Sequence, residues 1–133
     1  MIALLDLQVL ARENAGRGFK DSEPTYGVLA CLRCWEILIS RMEDGWPRQD
    51  YYMVDEYLLD LGVRDRIESF LSDMPSSLRT KVGRCVERLD TRFRAVTRED
   101  NGAELSKYWL PLAEGSEVRW WWTRCPTELP PGW

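Results

Sequence analysis

Apolar residues recur at helical spacing, three or four positions apart, over residues 1–90. This spacing predicts five amphipathic helices, at about residues 2–14, 24–45, 50–62, 63–74 and 76–90. Gly62 is interpreted as the end of the third helix and Pro75 as the end of the fourth, because Gly and Pro are the least favourable residues inside a helix. The N-terminal two thirds of the chain are therefore predicted to be mainly α-helical.

Beyond residue 90 the pattern changes to short stretches of aromatic and β-branched residues that are separated by turn residues. Three such stretches cover residues 92–97, 105–112 and 118–124. These residue types favour strands, and connections this short favour antiparallel pairing of neighbouring strands. The sequence therefore predicts a small three-stranded antiparallel sheet.

The length and composition indicate one domain. The chain has 133 residues, of which 44% are hydrophobic and 30% are charged, as in ordinary globular proteins. We predict an α+β fold in which residues 1–133 form a single domain, with a helical part (1–90), an antiparallel sheet (91–125) and a Pro-rich tail (126–133). Every apolar run is interrupted before the roughly 20 residues that span a bilayer. Four cysteines are too few for a secreted disulfide framework, so we expect a cytoplasmic protein without membrane contact.

The absence of histidine limits the chemistry that the chain can perform. Histidine is the commonest general base and metal ligand, so Ser-His and Cys-His catalysis are excluded. No phosphate-binding loop or nucleophile elbow is present either. We therefore expect no catalytic residues, no metal and no cofactor. The 22 acidic and 18 basic residues give a net charge of −4, which disfavours nucleic acid and suits a basic protein partner.

Cys31 and Cys34 have the spacing of a redox pair or of half a zinc site, which Cys85 and Cys125 could complete. The second pair lacks a matching spacing, and the first lies within a predicted helix rather than in a loop. The favoured interpretation is that these are buried structural cysteines.

Several carboxylates lie on and around the third predicted helix: Asp50, Asp55, Glu56, Asp60 and Asp65. Two of them could form a catalytic or cation-binding pair. Arg48, Arg64 and Arg66 are close enough in sequence to neutralise several of these acids. A solvated or salt-bridged helix face is therefore the favoured interpretation.

Residues 46–52 combine acids with large aromatic side chains, a composition that is typical of interface hot spots. Tyr51 and Tyr52 cannot both face the core, so we expect one of them, or Trp46, to reach solvent. Packing against the C-terminal tail is the alternative. The predicted partner-binding residues are Trp46, Asp50, Tyr51, Tyr52, Asp55, Glu56, Asp60 and Trp121.

Residues 120–122 are three consecutive tryptophans. On a strand, Trp120 and Trp122 would share one face of the sheet, and Trp121 would take the other. One aromatic face is then either covered by the Pro-rich tail and Trp133 or left open for a ligand. With Arg119 and Arg124 nearby, an open face could stack single-stranded bases or a small ligand.

Three idiosyncratic parts of the chain carry a resemblance: residues 50–61, residues 89–94, and residues 120–126 with 130–133. They resemble those of small, uncharacterised actinobacterial proteins of the toxin-immunity type. The resemblance implies that the protein binds and blocks a cognate toxin, with its acids and exposed aromatics as the interface. Our leading hypothesis is such an inhibitor, which is not an enzyme. The alternative is a small-ligand or single-stranded nucleic-acid binder that uses the aromatic C-terminal sheet.

Overall fold

Three long helices make up most of the structure, a computed structural model that describes residues 27–46, 52–131 and 133. The helices of this part are α1 (Val28–Glu43), α2 (Val54–Asp73), α3 (Ser76–Val96) and the short α4 (Leu110–Ala113). The other elements are two 3₁₀ helices, Leu105–Lys107 and Trp120–Thr123, and two strands, β1 (Thr97–Glu99) and β2 (Arg124–Pro126). The described residues are thus mostly helical with a small sheet, as predicted in outline.

Helix α1 confirms the second predicted helix, and α3 confirms the fifth but is longer. The predicted strand at 92–97 is wrong for residues 92–96, which form the last turns of α3. Phe93 and Val96 continue the apolar stripe of Leu89 at helical spacing and pack in or against the core. The hydroxyl of Thr97 then donates a hydrogen bond of 2.8 Å to the Phe93 carbonyl as the helix ends. The first predicted helix, at residues 2–14, lies outside the described residues.

The third and fourth predicted helices are a single helix, α2, so the prediction of a break at Gly62 is wrong. A side chain at Gly62 would meet no atom within 4 Å, so the glycine is not required by close packing. Glycine inside a helix costs only about 1 kcal/mol relative to alanine. The buried stripe of α2 runs past it, through Tyr57, Leu61, Arg64 and Ile67. Burial of one continuous stripe therefore outweighs the low helix propensity of one residue.

The sheet of the described residues has two antiparallel strands, not the three predicted. Strand β1 pairs with β2 so that Arg98 lies opposite Cys125. Residues 105–112, predicted as the middle strand, instead form a 3₁₀ helix and the start of α4, where Pro111 lies in the first turn. Proline fits that position because N–H groups in the first turn have no acceptor within the helix, so the N–H that proline lacks is not needed there.

The core lies between α1, α2 and α3 and is closed by the Trp120–Thr123 turn. Trp35 of α1 and Phe93 of α3 are fully buried, and their ring centroids lie 4.6 Å apart. Trp121 is also buried, so the C-terminal segment belongs to the same core as the helices. Among the described helices, none has both the length and the apolar character needed to cross a membrane.

Candidate functional site

The predicted partner-binding residues divide into a buried group and an exposed group. Trp46, Tyr52 and Trp121 are only 5%, 1% and 2% exposed. Asp60 is partly buried, whereas Asp55 and Glu56 at the start of α2 are exposed. Asp50 and Tyr51 lie outside the described residues. Among the predicted residues that the structure describes, the two acids at the start of α2 are the exposed ones.

Trp46 and Tyr52 pack against the C-terminal segment, which was the alternative interpretation of this aromatic region. Their ring centroids lie 4.7 Å apart. The Trp46 indole N–H donates a hydrogen bond of 2.7 Å to the Glu128 carbonyl, and the Tyr52 backbone N–H donates one of 3.3 Å to the Pro131 carbonyl. Neither Trp46 nor Tyr52 therefore reaches solvent, and Tyr51, the third aromatic residue of this expectation, lies outside the described residues.

Asp60 is bound to Tyr52 within the fold. The Tyr52 hydroxyl donates a hydrogen bond to the Asp60 carboxylate. Burial raises the pKa of the Tyr52 hydroxyl, and the adjacent Asp60 charge raises it further. Burial also raises the pKa of Asp60, while the Tyr52 hydrogen bond and the charge of Arg41 partly oppose this rise. Asp60 is thus a hydrogen-bond acceptor within the fold, and its pKa is raised relative to the unfolded chain.

Replacing Asp60 with asparagine is expected to change how stability depends on pH. A raised pKa means that the folded state holds the proton more tightly than the unfolded state. The stabilisation of the folded state by this tighter proton binding is fully present below the pKa of Asp60 in the unfolded chain. It is lost as the pH rises through the pKa of Asp60 in the folded state. The stability difference between the natural chain and Asp60→Asn should therefore increase in favour of the natural chain as pH falls from about 7 to about 3.

Urea unfolding at a series of pH values measures this difference, and Glu43→Gln is the control of opposite sign. The bidentate hydrogen bond from Arg92 lowers the pKa of Glu43. The ionised Glu43 therefore stabilises the folded state above the pKa that it has in the unfolded chain. This stabilisation is lost as the pH falls through the pKa of Glu43 in the folded state. A pH dependence of the same sign in both variants would contradict the assignment for Asp60.

The start of α2 carries an exposed surface of mixed chemistry, which we call the α2 entrance patch: Met53, Asp55, Glu56 and Leu59. Leu59 is 73% exposed and Met53 is 52% exposed. Helical spacing places Asp55 and Glu56 one turn before Leu59 on the same side of α2. The Glu56 carboxylate accepts a hydrogen bond of 3.3 Å from the Met53 backbone N–H. Within the described residues, neither acid of the patch forms an ion pair.

The sequence predicts that Arg64 neutralises exposed acids around α2. Its side chain instead turns into the core. Its guanidinium donates two hydrogen bonds, of 3.0 and 2.9 Å, to the two carboxylate oxygens of Asp90. The guanidinium also donates to Glu68 and lies 4.3 Å from the ring centroid of Trp121. The Trp35 indole donates to the same Asp90 carboxylate, at 3.2 Å. This network fixes α1, α2, α3 and the tryptophan segment relative to one another.

The tryptophan segment is a 3₁₀ helix, so the predicted alternation of a strand is wrong. The indole N–H groups of Trp121 and Trp122 both donate to the Asp65 carboxylate, at 3.1 Å. A strand would point these adjacent side chains to opposite faces, whereas a helical turn lets both reach one acceptor. Both indoles are buried. The three tryptophans therefore do not form an open platform on a sheet.

An open groove remains beside this segment, and we call it the Trp109 groove. It has a volume of about 350 Å³ and is lined by Asp65, Trp109, Glu117, Val118, Arg119 and Trp122. The Trp109 and Trp122 rings are stacked, with centroids 3.8 Å apart and an interplanar angle of 14°. The sequence predicts Arg119 beside an aromatic sheet but does not place Asp65 of α2 there, because Asp65 lies far from these residues in the chain.

No family model, curated protein or solved structure matches this chain. The resemblance to toxin-immunity proteins therefore stays a prediction from the sequence. The α2 entrance patch and the Trp109 groove are the surface features from which a function can be argued.

Cys31, Cys85 and Cys125 are buried, as interpreted from the sequence, whereas Cys34 is exposed on α1, so the interpretation is wrong for Cys34. Within the described part of the chain no disulfide joins Cys31, Cys34, Cys85 or Cys125. Burial raises the pKa of Cys31, and burial together with the charge of Asp100 raises that of Cys125 to about 11. A raised pKa leaves the thiol protonated and weakly nucleophilic near neutral pH. The described residues also contain no group of three or more His, Cys, Asp or Glu side chains that could hold a metal ion.

Proposed function

We propose that this protein binds a cognate protein toxin and inhibits it by covering a surface of the toxin. The observation that carries the proposal is the exposure of Leu59 beside two acids. At 73%, Leu59 is the most exposed large apolar side chain in the described residues. Protein interfaces typically combine an apolar centre with a polar rim, and the α2 entrance patch has both parts.

The charge of the patch supports a basic partner. Glu56 has a local role, because its carboxylate caps the Met53 N–H and both acids interact favourably with the N-terminus of α2. The Asp55 carboxylate remains open to solvent at the edge of the patch. With a net charge of −4, the chain would attract a basic toxin over a distance and accelerate association.

Inhibition by covering a surface needs no catalytic group on this chain. The chain has no histidine to act as general base. Tyr57, which is fully buried, donates its hydroxyl proton to the Arg124 carbonyl in a hydrogen bond of 3.0 Å. Arg64 is held by Asp90 and Glu68. These side chains maintain the fold, which favours binding over reaction as the function.

Leu59→Asp and Asp55→Lys are expected to weaken partner binding by about 2 kcal/mol each, as substitutions at interface hot spots do. The partner is first captured from host lysate with the tagged full chain and then purified. Its affinity for each variant is measured by calorimetry. Leu110→Asp and Glu87→Lys are the matched controls, because Leu110 is 66% exposed on α4 and Glu87 is exposed on α3.

The controls should bind the partner as the natural chain does, and all four variants should keep their melting temperatures within a few degrees. Equal losses of affinity in patch variants and controls would remove the α2 entrance patch from the proposal. Co-expression tests inhibition separately from binding. A captured partner that is toxic alone and remains toxic beside the natural chain would contradict the inhibitor function.

Small-ligand binding is the second candidate function, and the Trp109 groove favours it. Single-stranded nucleic acid has less support, because Trp121 and Trp122 are buried and two acids, Asp65 and Glu117, line the groove. Acids repel a phosphate backbone.

A further inference from the structure

The Trp109 groove offers a partly exposed indole and the carboxylates of Asp65 and Glu117, and the Arg119 guanidinium also lines it. Its volume of about 350 Å³ lies at the lower end of the range for small-ligand sites. The Trp122 indole N–H is already bound to both Asp65 carboxylate oxygens, each at 3.1 Å. Trp109 is only partly buried, and it stacks on Trp122. A ligand would therefore meet aromatic surface with carboxylates at its edge.

The charges that line the groove favour a cation. Asp65 and Glu117 are acidic, and Arg119 is the basic residue among the lining side chains. Arg119 lies near Asp65, with Nη1 at 3.6 Å from the carboxylate and 3.3 Å from the backbone carbonyl oxygen. Glu117 is exposed and forms no ion pair within the residues that the structure describes. One negative charge is thus left at the groove without a counter-ion.

We propose that the Trp109 groove binds the guanidinium group of an arginine side chain from a protein partner. A guanidinium is planar, so it can stack on an indole face while its edge donates hydrogen bonds to a carboxylate. Glu117 supplies that carboxylate, and the exposed part of the Trp109 indole, one face of which is covered by Trp122, supplies the stacking surface. This site does not rest on the proposed toxin inhibition, because it is built from residues outside the α2 entrance patch.

The test is a titration of the full chain with N-acetyl-arginine amide, followed through the indole N–H signals in a proton–nitrogen NMR spectrum. Each of the seven tryptophans gives one such signal. The Trp109 and Trp122 signals should shift saturably, with a Kd of about millimolar order for so small a ligand. The Trp35 signal should not move, because its indole is buried against Asp90. N-acetyl-citrulline amide, which has the same shape without the charge, should cause no saturable shift.

Glu117→Gln should weaken arginine-amide binding about threefold, as loss of one partly solvated ion pair does. Glu114→Gln is the matched control, because Glu114 is also exposed, lies three residues earlier and does not line the groove. Unchanged melting temperatures would confirm that both variants fold. The proposal is overturned by unmoved Trp109 and Trp122 signals, by equal shifts with the citrulline amide, or by equal affinities of the two variants.

Discussion

Asp90→Ala should destabilise the fold by about 3–5 kcal/mol, because it leaves the buried Arg64 charge without its main partner. Asp90 and Arg64 are only 6% and 4% exposed. Asp90 accepts two hydrogen bonds from Arg64 and one from the Trp35 indole. The substitution therefore also leaves a buried indole N–H without an acceptor. Urea unfolding, followed by circular dichroism, measures the loss.

Glu68→Ala and a double replacement separate the charge effect from simple loss of contacts. Glu68 also pairs with Arg64, at 3.1 Å, but its side chain is 38% exposed. Its removal should cost less than about 1 kcal/mol. The pair Arg64→Met with Asp90→Leu removes both charges together and should be more stable than Asp90→Ala alone. Equal losses for Glu68→Ala and Asp90→Ala would contradict the assignment of a buried ion pair.

Asp65→Ala should destabilise the fold by about 2–4 kcal/mol, because two buried indole N–H groups lose their acceptor at once. Trp121 and Trp122 are 2% and 6% exposed, so each indole N–H depends on the Asp65 carboxylate, and water can reach its place only from the open groove that Asp65 lines. Urea unfolding again gives the free energy. The indole N–H signals of these two tryptophans should move more than the signal of Trp35.

Asp65→Asn is the matched control, since it removes the charge but keeps one oxygen acceptor in the same position. It should cost clearly less than Asp65→Ala. Asp55→Ala removes an exposed acid from the first turn of the same helix and should cost less than about 1 kcal/mol. If the alanine and asparagine variants at position 65 were equally stable, the hydrogen bonds to the indoles would not be the source of stability.

The apolar spacing of the sequence predicted the long helices well, because their stability depends on burying a continuous stripe. The prediction failed where the propensity of local residues was preferred to this apolar spacing. Gly62 was interpreted as an end, yet Leu61 and Arg64 on either side of it lie on one buried face of α2. Residues 92–96 were assigned to a strand, yet Phe93 lies one helical turn after Leu89 on the buried face of α3.

The aromatic segment could not be predicted because a distant residue determines its conformation. Strand propensity favoured an extended chain for Trp121 and Trp122. Asp65, which is 56 positions before Trp121, instead brings both indoles to one side. No local pattern in residues 118–124 indicates this acceptor. Tertiary hydrogen bonding therefore overrides propensity here.

The candidate surfaces were predictable only in part. Asp55 and Glu56 were predicted as binding residues and are exposed. Trp46 and Tyr52 were predicted beside them, but large aromatic side chains equally favour burial. Arg64 stands on the buried stripe of α2 at helical spacing from Leu61, and that position was the available signal that it is buried. Its partner Asp90 lies on another helix, so the pair could not be identified from spacing alone.

The hydrogen bond from Trp46 to the Glu128 carbonyl joins residues 82 positions apart, so it sets an order of events during synthesis. The ribosome adds about 5–20 residues per second, so residue 128 is made several seconds after α1 is complete. Until then Trp46 has no access to this acceptor, and neither has the Tyr52 backbone N–H to the Pro131 carbonyl. The contacts that cover Trp46 and Tyr52 therefore form only after the C-terminal segment has been made, so they are among the last contacts of the fold to form.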